Sequence, residues 1–456
     1  MHSLRRFSLS LRIRYSKKPI KQGFCKERAR SLSTVENPPN LISSSQFRIP
    51  KCIVGQPTCY THPHMISEGY LTCGITQQEY KERRDTLVSQ LVAETEHAHK
   101  SHVIVIPAAR KQYMSDKIPY VFRQNSDFFY LTGCLEPSAI LVLIKSGLGD
   151  VYTSVIFVHE KDSHAELWEG PRTGCAVAGS LFAVDEARPV EHFSNFILRI
   201  VSTSKPAVLW YQNDSPPNPD IHEVVRSTLR QGHVSLADPQ KYLHQMRVIK
   251  SPAEVELMKE TCYIGAQSMN LAMACTKPGS QRWLYNSDIS RTWPVSGKFS
   301  KHQRILYELV LTVQKRLIEI LGEHRPPLDQ LFDHMCRLLG THLQQEGILP
   351  RNIDSNELIG KAYRLCPHHV SHYLGLDVHD APLVRRRVPV RSGMVVTVEP
   401  GIYIRQDDTS VPEEFRGVGI RIEDDVLITD GDPLILTDTC VKKVEDIENI
   451  VGKQNV

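Results

Sequence analysis

The sequence has no long apolar run, and nothing in its 456 residues approaches the ~18–20 apolar residues that a helix needs to cross a bilayer. The stretch SAILVLI (138–144) has the length of a buried strand instead. The sequence therefore predicts no membrane span. It also lacks paired cysteines: its eleven cysteines include no CxxC, and the closest two, Cys52 and Cys59, lie seven positions apart. Scattered reduced thiols fit this pattern better than a disulfide framework or a structural zinc site.

The chain also lacks an excess of positive charge once its first 35 residues are set aside. Residues 1–35 hold ten Lys or Arg and one acid, with several serines, a composition typical of a mitochondrial transit peptide. A basic arm for nucleic acid and a disordered tail are the alternatives. Without this segment 45 basic residues face 50 acidic ones, a balance near −5. The sequence gives no support to a nucleic-acid partner, and we expect a mitochondrial protein.

No internal repeat or low-complexity tract occurs beyond this leader and the segment 36–60, which is rich in Pro, Ser and Asn and is expected to be an extended arm. Over 61–245, short β-branched runs such as SHVIVIPAA and VYTSVIFV alternate with helical patterns. The first helix is predicted to start at TQQE, a capping box on Thr76, and to continue through Val92. Strands alternating with helices predict an α/β domain.

A second unit is predicted over 246–450. It opens with SPAE, in which Ser251 is an N-cap, Pro252 the first helical residue and Glu254 the closing residue of a capping box. Two more amphipathic helices are predicted in ILYELVLTVQKRLIEIL and LDQLFDHMCRLLGTHLQQEG. From residue 366 onward β-type segments predominate, so we expect an α+β domain with its polar chemistry near the C-terminus.

The stretch PHHVSHYLGLDVHD (367–380) contains four histidines within twelve positions, namely His368, His369, His372 and His379. A lone buried histidine is usually only hydrogen-bonded, but four together favour a role in metal binding or proton transfer. His372 and His379 would face opposite ways on a straight strand, although Gly375 could supply a bend.

Three acidic residues could complete such a site, and each also has a simpler interpretation. Glu399 follows the uncharged run MVVTV, so it needs a partner, either a metal ion or backbone amides of the turn at Pro400. Asp288 in NSDISRTWP could be a helix or turn cap. In GIRIEDDV, strand alternation puts Arg421, Glu423 and Asp425 on one face, where a surface ion pair is the alternative to a site. One His with several carboxylates suits Mn²⁺, Zn²⁺ or Co²⁺ in a two-metal hydrolase.

These segments resemble a known family. HHVSHYLGLDVHD, VEPGIYI, GIRIEDDV and SDISRTWPVSGKF are similar to the "pita-bread" metallopeptidases, specifically aminopeptidase P, the Xaa-Pro aminopeptidases. YVFRQNSDFFYLTGCLEPSAILVL and ELWEGPRTG resemble the creatinase-type N-terminal domain of that family. The resemblance covers about residues 50–450. It implies an α/β N-terminal domain followed by an α+β pita-bread catalytic domain.

The resemblance also implies roles for individual residues. It implies four metal ligands, of which the two bridging ones are carboxylates: Asp288, His372, Glu399 and Glu423. Glu399 would lie nearest the attacking water and is a candidate general base. It implies three further residues on the substrate side, two histidines for substrate binding and proton transfer and a supporting arginine: His368, His379 and Arg421.

By the same resemblance, the reaction removes the first residue of a peptide or protein whose second residue is proline. Two divalent cations, Mn²⁺ before Zn²⁺ or Co²⁺, would activate the attacking water. The family analogy suggests a homodimer.

The chain departs from the family just before Asp288. The family has a second metal aspartate, in an apolar strand ending Asp-Gly-Gly, about eleven residues earlier, and a substrate histidine before that. Here TKPGSQRWL runs directly into YNSDISRTWP, with no Asp or His between Met269 and Asn286. Several dozen family residues are absent at a join near 284–285. We therefore expect an incomplete second metal site, a poorly folded second domain and impaired activity. The expected origin is a splice form or a faulty gene model.

Two other functions remain open at this point. The first is a non-catalytic pita-bread protein that binds partners, although the retained His372, Glu399 and Glu423 argue against long drift from an enzyme. The second is a dipeptidase of the prolidase type, against which FRQNSDFFYLTG and WEGPRTG favour the aminopeptidase.

Overall fold

The computed structural model describes residues 49–94, 100–115, 118–146, 151–204, 206–231, 234–277 and 288–453, all within one unit spanning 47–456. The predicted leader 1–35, most of the arm 36–60 and the join near 284–285 lie outside these residues. The described end of the arm, 49–60, forms turns, and Gln56 Nε2 donates to the Gly133 carbonyl at 3.1 Å. No helix in the described ranges is both long enough and apolar enough to cross a bilayer.

The N-terminal half is built on a six-stranded sheet. Its strands, in chain order, are β3 (Ser101–Pro107), β6 (Ile140–Lys145), β7 (Thr153–Val158), β8 (Glu186–Pro189), β9 (Ala207–Trp210) and β10 (Ser235–Ala237). They lie side by side in the order β10-β9-β3-β6-β7-β8. The pairs β3/β6 and β6/β7 are antiparallel and the other three pairs are parallel. Two small hairpins accompany this sheet: β1 (Tyr70–Thr72) with β2 (Ile75–Thr76), and β4 (Tyr113–Ser115) with β5 (Ile118–Pro119).

Helices cover this sheet, which confirms the predicted α/β class. They are α1 (Gln77–Val92), α2 (Ser126–Thr132), α3 (Ser163–Glu169), α4 (Cys175–Leu181), α5 (Phe193–Thr203), α6 (Pro219–Gln231) and α7 (Gln240–Val248). Thr76 caps α1 as predicted, since its side chain accepts from the Glu79 backbone N–H. Glu79 does not complete the capping box, because its carboxylate binds Arg83 and Ser251 instead. The proposed domain boundary at 245–246 falls inside α7.

The strands are apolar on both faces because both faces are covered. Alternate residues of β3 and β6 enter two separate cores: Ile104 and Leu141 pack into one, Val103 and Ile140 into the other. A sheet buried on both faces is expected to show continuous apolar runs instead of an alternating pattern, as SHVIVIP does.

The described part of the second half contains five α-helices, together with a short 3₁₀ turn at Glu413–Phe415. They are α8 (Pro252–Ala274), α9 (Lys301–His324), α10 (Leu328–Gln345), α11 (Ser355–Leu365) and α12 (Val444–Ile450). The capping box at Ser251 and Glu254 is present with Pro252 at the first position, as predicted. The helices α9 and α10 enclose the two amphipathic segments that the sequence indicated.

The strands of this half form two small sheets. One contains β11 (Val395–Val398), β14 (Asp424–Leu427) and β15 (Leu434–Ile435), and the other β12 (Gly401–Tyr403) and β13 (Gly419–Arg421). GIRIEDDV was predicted as one strand, and this is wrong, because it is divided between β13 and β14. The Glu423 N–H bonds to the Ser290 carbonyl at 3.0 Å, out of the ladder, and Pro400, which lies opposite Ile422, has no N–H to contribute. Since the break lies at Glu423, the two sheets meet at a predicted site residue.

Candidate metal centre

The two glutamates of the predicted site are cross-strand partners. Val398 pairs with Asp424 in one sheet and Gly401 with Arg421 in the other, and the same register across the gap sets Glu399 opposite Glu423. Opposed residues of an antiparallel pair have Cβ atoms about 4.5–5.5 Å apart. Two residues separated by 24 positions in the chain therefore present their carboxylates together.

A second extended segment places His372 on the other edge of β11. The Thr397 N–H donates to the His372 carbonyl at 3.0 Å, and the His372 N–H donates to Thr397 Oγ1 at 3.1 Å. The His372 Nδ1 lies 3.1 Å from the Tyr373 carbonyl. Because a carbonyl only accepts, Nδ1 carries the proton and Nε2 of the neutral ring offers its lone pair to the centre.

Asp288 begins an extended segment that lies beside the break between β13 and β14. Ser290, two residues on, accepts the Glu423 N–H at its carbonyl and donates its hydroxyl to Glu423 Oε2 at 2.6 Å. Ligand atoms of Asp288, His372 and Glu423 all lie within 4.8 Å of one another. Glu399 joins them, with Oε1 at 3.6 Å from His372 Nε2. The structure thus gathers all four predicted ligands.

The electrostatics of this cluster favour a bound cation. Burial, with the neighbouring Glu399 and Asp288, raises the pKa of Glu423 to about 8. Burial also raises the pKa of Glu399, although His372 and His368 oppose it. Burial opposes protonation of His372, yet its pKa is raised by the nearby Asp288 and Glu399 carboxylates and by the Tyr373 carbonyl. One buried acid and two half-buried acids surround one imidazole, and their oxygen and nitrogen donors fit a divalent cation.

The three predicted substrate-side residues lie around the same cluster. The His379 ring packs edge-on against His372 with ring centroids 4.4 Å apart, so the bend at Gly375 brings the two rings together. His368 Nε2 lies 2.8 Å from the Tyr403 hydroxyl, and its Nδ1 lies 3.9 Å from Glu399 Oε2. Arg421 donates from Nε to Ser290 Oγ at 2.9 Å and lies 4.0 Å from Glu399.

His369, the remaining histidine of the run, is turned away from the centre. Its ring stacks on Phe332 with centroids 5.2 Å apart, and its Nε2 lies 3.3 Å from Asp329 Oδ1. Its position agrees with the structural role that is usual for a histidine, and it supplies a matched control within the same segment.

A buried ion cluster fixes the loop that carries His379. Arg247 of α7 donates to Asp127 and Asp377 at 2.7 Å each, and also binds Asp380. Asp377 further accepts from Ser126 of α2 at 2.7 Å. The N-terminal half therefore positions the residues on either side of His379.

Sequence reasoning missed a second buried acid next to the centre. Asp424 is fully buried and binds Arg291 at 2.7 Å, Gln314 at 2.6 Å, Thr437 at 2.9 Å and also Lys442. The signal was present in the sequence, because SDISR places an arginine three residues after Asp288 and IEDD contains three consecutive acids.

One flank of the centre is open. A cavity of about 470 Å³ lies between α8, the loop at 374–380 and the N-terminal half, and both Asp288 and Asp425 line it. Among the described residues, Val395 and Leu427 on this face of the sheet belong to a small apolar cluster with Cys262. The opposite face, with Val396 and Val398, belongs to the main core of this half. The predicted poor folding of the second half stays a prediction.

Comparison with known proteins agrees with this geometry. Residues 80–210 match the family model "Aminopeptidase P, N-terminal domain", and residues 279–430 match "Metallopeptidase family M24". Human Xaa-Pro aminopeptidase 3 is 33% identical over 470 aligned positions, covering 89% of this chain and 92% of that protein. A mitochondrial intermediate cleaving peptidase 55 of Arabidopsis thaliana is 31% identical, covering 88% of each.

A solved structure shows the same fold. Zinc-substituted Escherichia coli aminopeptidase P, in complex with product, superposes with a TM-score of 0.72 at 30% identity, covering 82% of this chain and 98% of that one. This similarity and the two family models confirm the predicted order of an N-terminal aminopeptidase P domain followed by a pita-bread metallopeptidase domain. With the human relative so largely covered, the chain belongs to the aminopeptidase P group of metallopeptidase family M24.

Proposed function

We propose that this chain has the active-site design of an Xaa-Pro metalloaminopeptidase, which releases the first residue of peptides whose second residue is proline. The observation that carries the proposal is the convergence of Asp288, His372 and Glu423 donor atoms within 4.8 Å, with Glu399 at 3.6 Å from His372. The substrate class comes from the names of the relatives.

Asp288, His372, Glu399 and Glu423 would hold a divalent cation, with Mn²⁺ preferred over Zn²⁺ or Co²⁺ because three of the four donors are carboxylates. Such a cation acts as a Lewis acid and lowers the pKa of water toward neutrality. Ser290 orients Glu423 through its hydroxyl, and the Tyr373 carbonyl orients His372.

The remaining residues act on the substrate. Glu399, whose pKa burial raises, is suited to accept a proton from the attacking water. His379 lies beside His372, where an imidazole N–H can stabilise negative charge on the carbonyl oxygen before proline. His368 Nδ1 lies 2.9 Å from the His369 carbonyl, so its Nε2, beside the Tyr403 hydroxyl, can move a proton toward the departing proline nitrogen, which has no N–H of its own in the peptide bond.

We also propose that the chain is impaired by an internal deletion. The human alignment is 470 positions long, whereas 89% of this chain is only about 406 residues, so about 64 positions have no counterpart here. No Asp or His occurs between Met269 and Asn286 to provide the second metal aspartate. Even an outer-shell partner of a ligand is worth about 10–100-fold in activity.

An assay of the purified full chain tests this function. Mn²⁺-loaded protein and human Xaa-Pro aminopeptidase 3 are compared on a peptide with proline second, its twin with alanine second and an Xaa-Pro dipeptide. We expect release from the proline peptide only, at least about 100-fold slower than the human enzyme, and lost in Glu399→Gln.

Each of the other outcomes would indicate a different function. Cleavage confined to the dipeptide would indicate a prolidase-type enzyme. No cleavage by a folded, metal-loaded chain would indicate a binding protein or an inactive form. A rate equal to the human enzyme would contradict the impairment.

Location and assembly are proposals of the same kind. The basic composition of residues 1–35, together with the mitochondrial name of the Arabidopsis relative, supports import into mitochondria. A fluorescent protein carrying residues 1–60 should enter mitochondria, and a cytosolic signal would oppose this. Light scattering of the purified chain would test the homodimer expected from the family.

A further inference from the structure

A buried carboxylate beside the centre has one oxygen without a hydrogen bond among the described residues. Asp425 is only 1% exposed, yet its Oδ1 makes no hydrogen bond within the described part of the chain. Its Oδ2 receives only the Cys262 thiol, at 3.3 Å, which is a weak donor. An acid buried with so little compensation is costly, and the usual remedies are a cationic side chain or a metal ion.

Asp425 lies on the metal side of the sheet. It stands two residues after Glu423 and opposite Thr397 in the β11/β14 ladder, so it shares the face that carries Glu399 and Glu423. Thr397 in turn holds the His372 backbone. Asp425 is therefore the next residue after Glu423 on the face of the sheet that carries the site.

The unpartnered oxygen is at the open flank. Asp425 and Asp288 line the same cavity of about 470 Å³, and Asp288 Oδ2 is likewise buried without a hydrogen bond, although His372 Nε2 lies 3.1 Å away. The charged groups that act on Asp425 are Asp288, Asp424 and His372, so two of the three are also negative. An additional cation would relieve both carboxylates.

We propose that Asp425 supplies the carboxylate that the second cation would otherwise lack, so that the chain holds two divalent ions. One would use His372 and Glu399, and the other Asp425, with Asp288 and Glu423 shared between them. This inference rests on the proposed metal centre. It makes the second site an all-oxygen site, which suits Mn²⁺ and disfavours softer ions.

The rearrangement needed is local. Asp425 is not among the residues whose donor atoms lie within 4.8 Å of one another in the described cluster, so its side chain must turn toward Asp288 when the ion binds. Metal–oxygen contacts to small cations are about 2.0–2.2 Å. The Cys262 thiol is the one hydrogen bond of the described side chain that this turn would break.

Metal stoichiometry tests the inference without reference to activity. Dialysed full chain is titrated with Mn²⁺ by calorimetry, and bound metal is counted by mass spectrometry. We expect about two Mn²⁺ per wild-type chain, as in two-metal sites, and about one in Asp425→Asn. Cys262→Ala is the matched control, because it touches the same carboxylate but offers no ligand in this arrangement, and it should keep both ions.

Electron paramagnetic resonance gives a second readout, since two Mn²⁺ ions sharing carboxylates couple magnetically. The coupled signal should be present in wild type and Cys262→Ala and absent in Asp425→Asn. Thermal unfolding without metal checks that Asp425→Asn is folded, as removal of an uncompensated charge predicts.

The outcomes separate the two claims. One ion in wild type, lost in His372→Ala and unchanged in Asp425→Asn, would overturn this inference and leave the proposed centre standing. Two ions in both wild type and Asp425→Asn would also overturn it. No Mn²⁺ in wild type would overturn the proposed centre itself.

Discussion

Two neighbouring acids on opposite faces of the β11/β14 sheet have pKa values shifted in opposite directions. Asp424 faces the main core, where, against the effect of burial, Arg291 and Lys442 lower its pKa to about 2. Asp425 faces the open flank, where burial raises its pKa to about 7 and no side-chain cation binds it. The two residues are almost equally buried, with exposed fractions of 0% for Asp424 and 1% for Asp425. On the core face the protein's own cations balance the charge of the Asp424 carboxylate. On the other face the charge of the Asp425 carboxylate would be balanced by a bound metal ion.

Removal of Arg291 should have the largest effect on stability, because it breaks the buried ion pair with Asp424. Arg291→Met leaves Asp424 buried with Lys442 as its remaining cation, and loss of one partner of a buried ion pair costs about 3–5 kcal/mol of unfolding free energy. Urea denaturation measures it. Arg405→Met, which removes an exposed pair with Asp407, is the control and should leave the midpoint unchanged. Equal effects would show that Asp424 does not depend on Arg291.

Added Mn²⁺ should increase the unfolding free energy of the protein, by less than Arg291→Met decreases it. Binding to the folded state alone contributes about 2.7 kcal/mol at a metal concentration 100 times the dissociation constant. The melting temperature of wild type should therefore rise with Mn²⁺ and fall again with a chelator, whereas that of His372→Ala, which loses a ligand of one of the two proposed ions, should rise less. His369→Ala, in the same histidine run but outside the centre, should respond like wild type. A response in His372→Ala as large as that of wild type would place the ion elsewhere.

The pH dependence should have opposite signs on the two faces. Asp424, with a lowered pKa, contributes stability above about pH 4 that is lost as the pH falls toward 2. Asp425, with a raised pKa, binds a proton in the folded state, so metal-free stability declines as the pH rises from about 4 to 7. Asp425→Asn should remove part of that decline, which for one proton is at most about 1.4 kcal/mol per pH unit. An unchanged profile would contradict the assignment.

Cys262→Ala should have the smallest effect. Loss of the thiol contact and of a small buried volume should reduce metal-free stability by about 1 kcal/mol. With Mn²⁺ bound, the difference should shrink if Asp425 has turned toward the metal. Chemical denaturation of both proteins with and without Mn²⁺ measures it, and a larger difference with metal would count against the turn.

The sequence predicted those parts of the fold that depend on local pattern. The helix at Ser251 could be placed because capping by Ser251 and Glu254 involves neighbours in the chain. MVVTV was placed as a strand for the same reason. The division of GIRIEDDV was not predicted, because it depends on Pro400, a residue of the partner strand that lacks an N–H.

The site shows the same limit. Residue types in the motifs indicated Asp288, His372, Glu399 and Glu423, and the structure brings them together, although their roles as ligands stay predictions. The opposed positions of Glu399 and Glu423 could not be read from the sequence, since register is a property of two strands. The unpartnered oxygen of Asp425 could not be predicted from the sequence either, because it depends on which hydrogen-bond donors line the cavity in the folded chain.

The ion cluster at Arg247 links the loop that carries His379 to the N-terminal half of the chain. Asp127 and Ser126 belong to α2, whereas Asp377 and Asp380 flank His379. A fragment that starts at residue 246 would keep Arg247, but Arg247 would lose Asp127 as a partner and Asp377 would lose the Ser126 hydroxyl. Replacement of the N-terminal half by an unrelated domain should therefore also move the loop that carries His379.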